Sequence, residues 1–147
     1  MKSILFAVAA ACVLSAPAQA APAEPALAPF SQFVNAMNAG DTAKAAATYA
    51  PTVTIIDEFG PHIWNSFAAW DGDLGTSFKT NAVSDFHIAA AAVSFKAVSA
   101  TAGYGVVPTT LTYKVKGKPV SEKGLFTFST AKGASGWRIT GWAWSTL

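Results

Sequence analysis

A change of hydrophobic period near residue 50 constrains this chain more than any other feature. Before it, Phe30, Phe33, Val34 and Met37 fall at i, i+3, i+4 and i+7, one face of a helix that Asn38-Ala39-Gly40 ends. Asp41 is placed to cap a second helix, running through alanines to Tyr49 and stopped by Pro51. Then Val53, Ile55, Asp57 and Phe59 alternate with Thr54, Ile56 and Glu58, the two-residue repeat of a strand. Gly60-Pro61 breaks it, and Ser66 opens a third helix with Phe67, Trp70, Leu74 and Phe78 on one stripe. From Phe86 onward, strands are expected at 86–99, 103–115, 119–130 and 136–146, separated by turn-forming residues. Helices first and strands after make an α+β domain. Evenly spaced strands favour an antiparallel meander, and a meander wraps helices only if it bends. The expected fold is therefore three N-terminal helices packed in a strongly curved antiparallel sheet, with a cavity between the layers.

The first residues are expected to do something other than fold. Lys2 precedes an apolar run from Ile4 to Leu14, and Ala18-Gln19-Ala20 has the small-x-small pattern of a signal-peptidase site. Residues 1–20 are accordingly read as an export signal, giving a periplasmic or secreted chain that begins at Ala21. That run is too short to anchor the chain in a bilayer. Cys12 offers a rival, lipidation, but Ala9-Ala10-Ala11 lacks the large aliphatic residue that opens a lipid-attachment motif. Residues 21–29 are rich in proline and alanine and read as an extended tether. Residues 30–147 then form the domain.

Composition excludes several chemistries. Cys12 is the only cysteine, so the mature chain has no disulfide and no thiolate nucleophile. A formal charge of +2, part of it from Lys2, leaves no electrostatic footprint for nucleic acid or a membrane surface. His62 and His87 are the only histidines and have no ligand spacing, so neither metal nor cofactor is expected. No G-x-S-x-G elbow is present for a hydrolase. Charged residues are 12% of the chain against 52% hydrophobic, more apolar surface than dissolving alone requires. A buried pocket, a subunit interface, or both would use it.

Three ordered segments now carry a resemblance: Asn38-Ala39-Gly40-Asp41, Tyr49-Ala50-Pro51, and Ile55-Ile56-Asp57-Glu58-Phe59-Gly60. With Val107-Pro108, Lys116-Gly117-Lys118-Pro119 and Trp142-Ala143-Trp144-Ser145, the set resembles SnoaL-like, or nuclear transport factor 2-like, proteins and bacterial ketosteroid isomerases. The resemblance implies a cone-shaped α+β barrel and a homodimer joined through the sheet. It also places the isomerase general base on Asp57. Strand alternation independently puts Asp57 on the face of Val53, Ile55 and Phe59, where burial raises a carboxylate's pKa toward the range useful to a base. The oxyanion donors of the isomerase do not carry over: Phe33 and Phe126 stand where it has a tyrosine and a protonated aspartate. Losing one such donor typically costs ~100- to 1000-fold in rate, which argues against steroid isomerisation. Epoxide hydrolases of this fold set an arginine between two aspartates; here Arg138 is the only arginine and a second matching aspartate is not evident.

Asp57 and His62 are the candidate catalytic residues, with His62 in a loop where it could exchange protons with Asp57. The alternatives are a structural Asp57, capping the turn at Gly60 or pairing with a lysine, and a surface His62. Glu58 alternates to the solvent side, and His87 reads as structural. Candidate ligand-binding residues are Phe33, Phe59, Trp64, Phe126, Phe128 and Trp144, since so many aromatic side chains exceed what one small core needs. Three functions follow. The first is an exported pocket protein for a small apolar or aromatic molecule. The second is an isomerase, cyclase or dehydratase using Asp57 as acid or base, and the third is a non-catalytic dimeric interaction module.

Overall fold

Residues 24–147 are described by the computed structural model. The expected export signal, its expected cleavage site and Cys12 lie outside the described residues. The expected tether gives way at its C-terminal end. Pro25–Leu27 makes a 3-10 turn, α1 (Ala28–Asn38) follows directly, and Ala26 and Pro29 are buried. Prolines favour a helix start as much as an extended chain, and here they sit in first turns.

Gly40, at φ +68°, turns the chain from α1 into α2 (Thr42–Ala46), a conformation that glycine adopts without strain. Asp41 caps α2 as expected, its carboxylate accepting the Lys44 N–H at 3.0 Å. The helix ends earlier than its alanines allow. Tyr49 belongs instead to β1 (Tyr49–Ile56), where its ring packs on Phe67 and its hydroxyl accepts the Trp142 indole N–H at 2.7 Å. These contacts outweigh the helical preference of the run.

After β1 come β2 (Ile63–Trp64), α3 (Phe67–Asn81), β3 (Val83–Ala90), β4 (Ser94–Ser99), β5 (Ala102–Val115), β6 (Lys118–Gly133) and β7 (Gly136–Thr146). Ser66 caps α3 by accepting the Ala69 N–H. The strand expected at 86–99 is two strands, β3 and β4, which pair with different stretches of β5. Sheet order is β2-β1-β7-β6-β5-β3, with β4 also on β5.

Two expectations about the sheet are corrected. It is mixed, because β1 lies parallel to β7, pairing Ile55 with Trp142. A meander alone would leave β7 as an open edge, and β1 fills that edge while burying Val53 and Ile55. The sheet also curves without closing, so the expected barrel is open between β2 and β3. Register shifts in β1, β3, β4 and β6 supply bends of the kind that bulges impose. The helical layer packs on the sheet through Phe30 and Phe33 of α1 and Phe67 and Trp70 of α3. They meet Phe126, Phe128 and Trp142 of the sheet. Among the described residues no helix is long and apolar enough to cross a membrane.

Candidate functional site

Asp57 is the first residue past β1, and it continues the inward side of the strand after the fully buried Val53 and Ile55. It reaches a cavity of about 420 Å³ between α3 and the sheet, walled by Phe59, Leu74, Phe78, Phe86, Phe126 and Trp144 among others. Both carboxylate oxygens are held. Oδ2 accepts the Trp70 indole N–H at 2.9 Å, and Oδ1 accepts the main-chain N–H of Glu58 at 2.8 Å. Burial raises the pKa of Asp57 above the ordinary carboxylate value, against the two hydrogen bonds; the nearby charges of Glu58 and Glu122 push it further up. The two structural roles foreseen for Asp57 divide. Its bond to Glu58 does tie down the turn, but no lysine or arginine pairs with it among the described residues.

His62 shares that turn without sharing the cavity. It is exposed, at φ 76°, and its ring Nδ1 donates to the main-chain carbonyl of Asp57 at 3.1 Å. The ring is thus engaged with backbone, away from the carboxylate. Of the aromatic candidates, Phe59, Phe126 and Trp144 line the cavity. Phe33, Trp64 and Phe128 do not, and their expected place in the lining is corrected to the core. Phe128 stacks on Phe30 with ring centres 4.4 Å apart, and Trp64 packs on Phe59 while its N–H bonds Asp73.

Three polar residues of the site escaped the sequence reading. Trp70 was legible as a buried position of α3 but not as the partner of Asp57. A buried indole N–H must find an acceptor, yet no spacing rule says which. Tyr113 and Glu122 are diagonal neighbours across β5 and β6, with Glu122 opposite Leu111, and the phenol donates to the carboxylate at 2.8 Å. Burial, and then the contact with Glu122, push the tyrosine pKa up to about 12. The hairpin turn Lys116-Gly117, with positive φ at both residues, sets this register by pairing Val115 with Lys118. Among the described residues no three histidine, aspartate or glutamate side chains gather as a metal site.

Asp57→Asn gives a stability test with a defined sign. A carboxylate whose folded pKa is raised penalises the folded state as it ionises, so the penalty grows as pH climbs from the unfolded pKa through the folded one. The variant should therefore gain on the wild type as pH rises above the ordinary carboxylate value, and hold level once Asp57 is fully ionised in the folded protein. Paired melting curves across that range measure it. A relative loss toward neutrality would mean that a cation stabilises the ionised form.

No family model matches the chain, and comparison with curated proteins finds no relative. Solved structures do match it. Hexachlorocyclohexane dehydrochlorinase LinA-type3 from Novosphingobium barchaimii superposes with a TM-score of 0.71 at 11% identity, over 80% of this chain and 81% of that one. An NTF2-like protein with a cystatin-like fold, from Novosphingobium aromaticivorans, gives 0.67 at 12% identity, over 84% and 80%. A ketosteroid isomerase-like protein from Erwinia carotovora atroseptica gives 0.65 at 19% identity, over 82% and 92%. Identities this low carry the architecture and leave the chemistry to the site. Long β5 and β6, the helix layer on one face and the unclosed curve of the sheet are those of the nuclear transport factor 2-like fold, and this chain has it.

Proposed function

We propose that this chain is an exported binding protein for a small, largely apolar molecule, held between α3 and the sheet with Asp57 as its polar contact. The observation that carries the reading is a cavity of about 420 Å³, mostly apolar, into which the fixed and partly buried carboxylate of Asp57 is set. That volume lies within the few hundred Å³ usual for small-molecule sites. Two structures of this fold are named for hexachlorocyclohexane and ketosteroid chemistry, both apolar ring compounds, which agrees with it. Export rests on the apolar segment before Ala18-Gln19-Ala20. A homodimer is proposed on the exposed cross-strand pair Ile56 and Ile63, and a monomeric mass by light scattering would remove it.

The neutral dye Nile red tests the pocket. Wild type should take it up with a fluorescence rise, and Ser77→Trp, which projects an indole from α3 into the cavity, should abolish uptake while melting as a folded protein. Uptake that survives Ser77→Trp unchanged would place the dye elsewhere and defeat the reading.

A second reading, proton transfer by Asp57, is favoured by the two hydrogen bonds that aim its carboxylate and the burial that raises its basicity. The Tyr113 hydroxyl already donates to Glu122, so the donor such a reaction needs for developing charge is not free. The readings separate at Asp57→Asn. A binding protein keeps dye uptake in that variant, whereas only an enzyme exchanges deuterium into a bound carbon acid and loses that exchange with the carboxylate.

A further inference from the structure

We propose that the occupant of this cavity is an organic cation, an amine or quaternary ammonium group on an apolar body; the proposal rests on the pocket reading above. The charge around the cavity is one-sided. Asp57, Glu58 and Glu122 all line it, and among the described residues no lysine, arginine or histidine does. Every hydrogen bond to these carboxylates comes from a neutral group. Trp70 and the Glu58 main chain serve Asp57, Thr146 serves Glu58 through its N–H and hydroxyl, and Tyr113 serves Glu122. The ion pairs among the described residues lie elsewhere, Lys44 with Asp41 and Lys114 with Asp85. Asp57 and Glu122, both partly buried, and the exposed Glu58 at the rim thus border one aromatic-walled space with no counter-charge among the described residues, an arrangement that a positive group entering the space would relieve.

The walls point the same way. Phe59, Phe78, Phe86, Tyr113, Phe126 and Trp144 border the cavity, and an aromatic face attracts a cation through its quadrupole. Rings deeper in the core, such as Phe30 and Phe128, are stacked on each other and have no open face to offer. A bare metal ion would leave most of the volume empty and the apolar walls unused. A neutral apolar molecule would use the walls and leave the carboxylates unmatched, and an anion would be repelled by all three. An ammonium group beside the carboxylates, with its hydrocarbon against the rings, satisfies both halves of the lining.

Calorimetric titration of the mature protein with three probes of shared skeleton decides the matter: trimethyl(phenylpropyl)ammonium, phenylpropanol and phenylpropionate. The cation should bind about tenfold tighter than the alcohol, the scale expected of cation–π and charge contacts in a partly desolvated site, and the carboxylate should not saturate. Glu122→Gln, which keeps an acceptor for Tyr113, should weaken the cation roughly three- to tenfold and leave the alcohol unchanged. Equal or tighter binding of the alcohol or the carboxylate overturns the proposal, as does unchanged cation affinity in Glu122→Gln. Nile red uptake without binding of any of the three overturns the cation and leaves the pocket standing. Failure of the dye and all three probes removes the pocket itself.

Discussion

Phe33→Ala should come close to unfolding this protein. The ring is 1% exposed and packs against Phe30, Tyr49, Trp70, Phe126 and Trp142, so it joins α1 to both β1 and the far strands of the sheet. Truncating a buried phenylalanine costs about 3–5 kcal/mol, much of it from the cavity left behind. A domain of this size has only about 5–15 kcal/mol in total. Thermal melts should show a fall of roughly 10–20 °C, with Phe33→Leu between variant and wild type. A loss below about 1 kcal/mol would mean that the neighbouring rings collapse into the gap, and that the core is more plastic than its packing implies.

Asn38→Leu is expected to be the most damaging change at a partly exposed position. The Asn38 amide does the work of a missing strand on the free edge of β3. Its Oδ1 accepts the Ile88 N–H at 2.7 Å, and its Nδ2 donates to the Ile88 carbonyl at 2.9 Å. Leucine would fill similar space and leave both main-chain groups without a partner, at a cost of about 2–3 kcal/mol. Hydrogen exchange at the Ile88 amide gives a local readout, and its protection should fall with the melting temperature. Asn38→Asp separates the two bonds, since it keeps the acceptor but sets a carboxylate against the Ile88 carbonyl. That variant should recover stability in acid, as the carboxylate gains a proton to donate. If Asn38→Leu melts like wild type and Ile88 keeps its protection, water replaces the amide and the bridge is dispensable.

The parts of the fold legible in the sequence were those set by local rules. Asp41 and Ser66 cap the helices they were expected to cap, and Gly40 turns the chain where α1 stops. The alternation through Val53, Ile55 and Asp57 put the carboxylate toward the interior one residue beyond the strand itself. What stayed hidden depends on partners distant in sequence. Tyr49 leaves the helical run because Trp142 and Phe67 claim it, and no window around Tyr49 contains either. Two-residue β2 is too short to show any period. At the site, apolar pattern alone could not tell a lining ring from a packed one. Phe126 and Phe128 share a face of β6, yet one borders the cavity and the other is closed over by Phe30. Asn38 was visible only as a helix terminator, because its second role needs Ile88, fifty positions on.

The seam between β1 and β7 ties the order of synthesis to the order of folding. Tyr49 waits for Trp142, which follows 93 residues later, and Ile55 has no parallel neighbour until the same strand arrives. Contacts of such long range make folding slow, because the loop must close before any of them forms. An emerging N-terminal portion therefore has helices with apolar faces and nothing to cover them. It cannot seal its core early, however long it dwells. The core is therefore complete only once β7 has paired with β1. The same delay makes a truncation before Trp142 a loss of the whole domain.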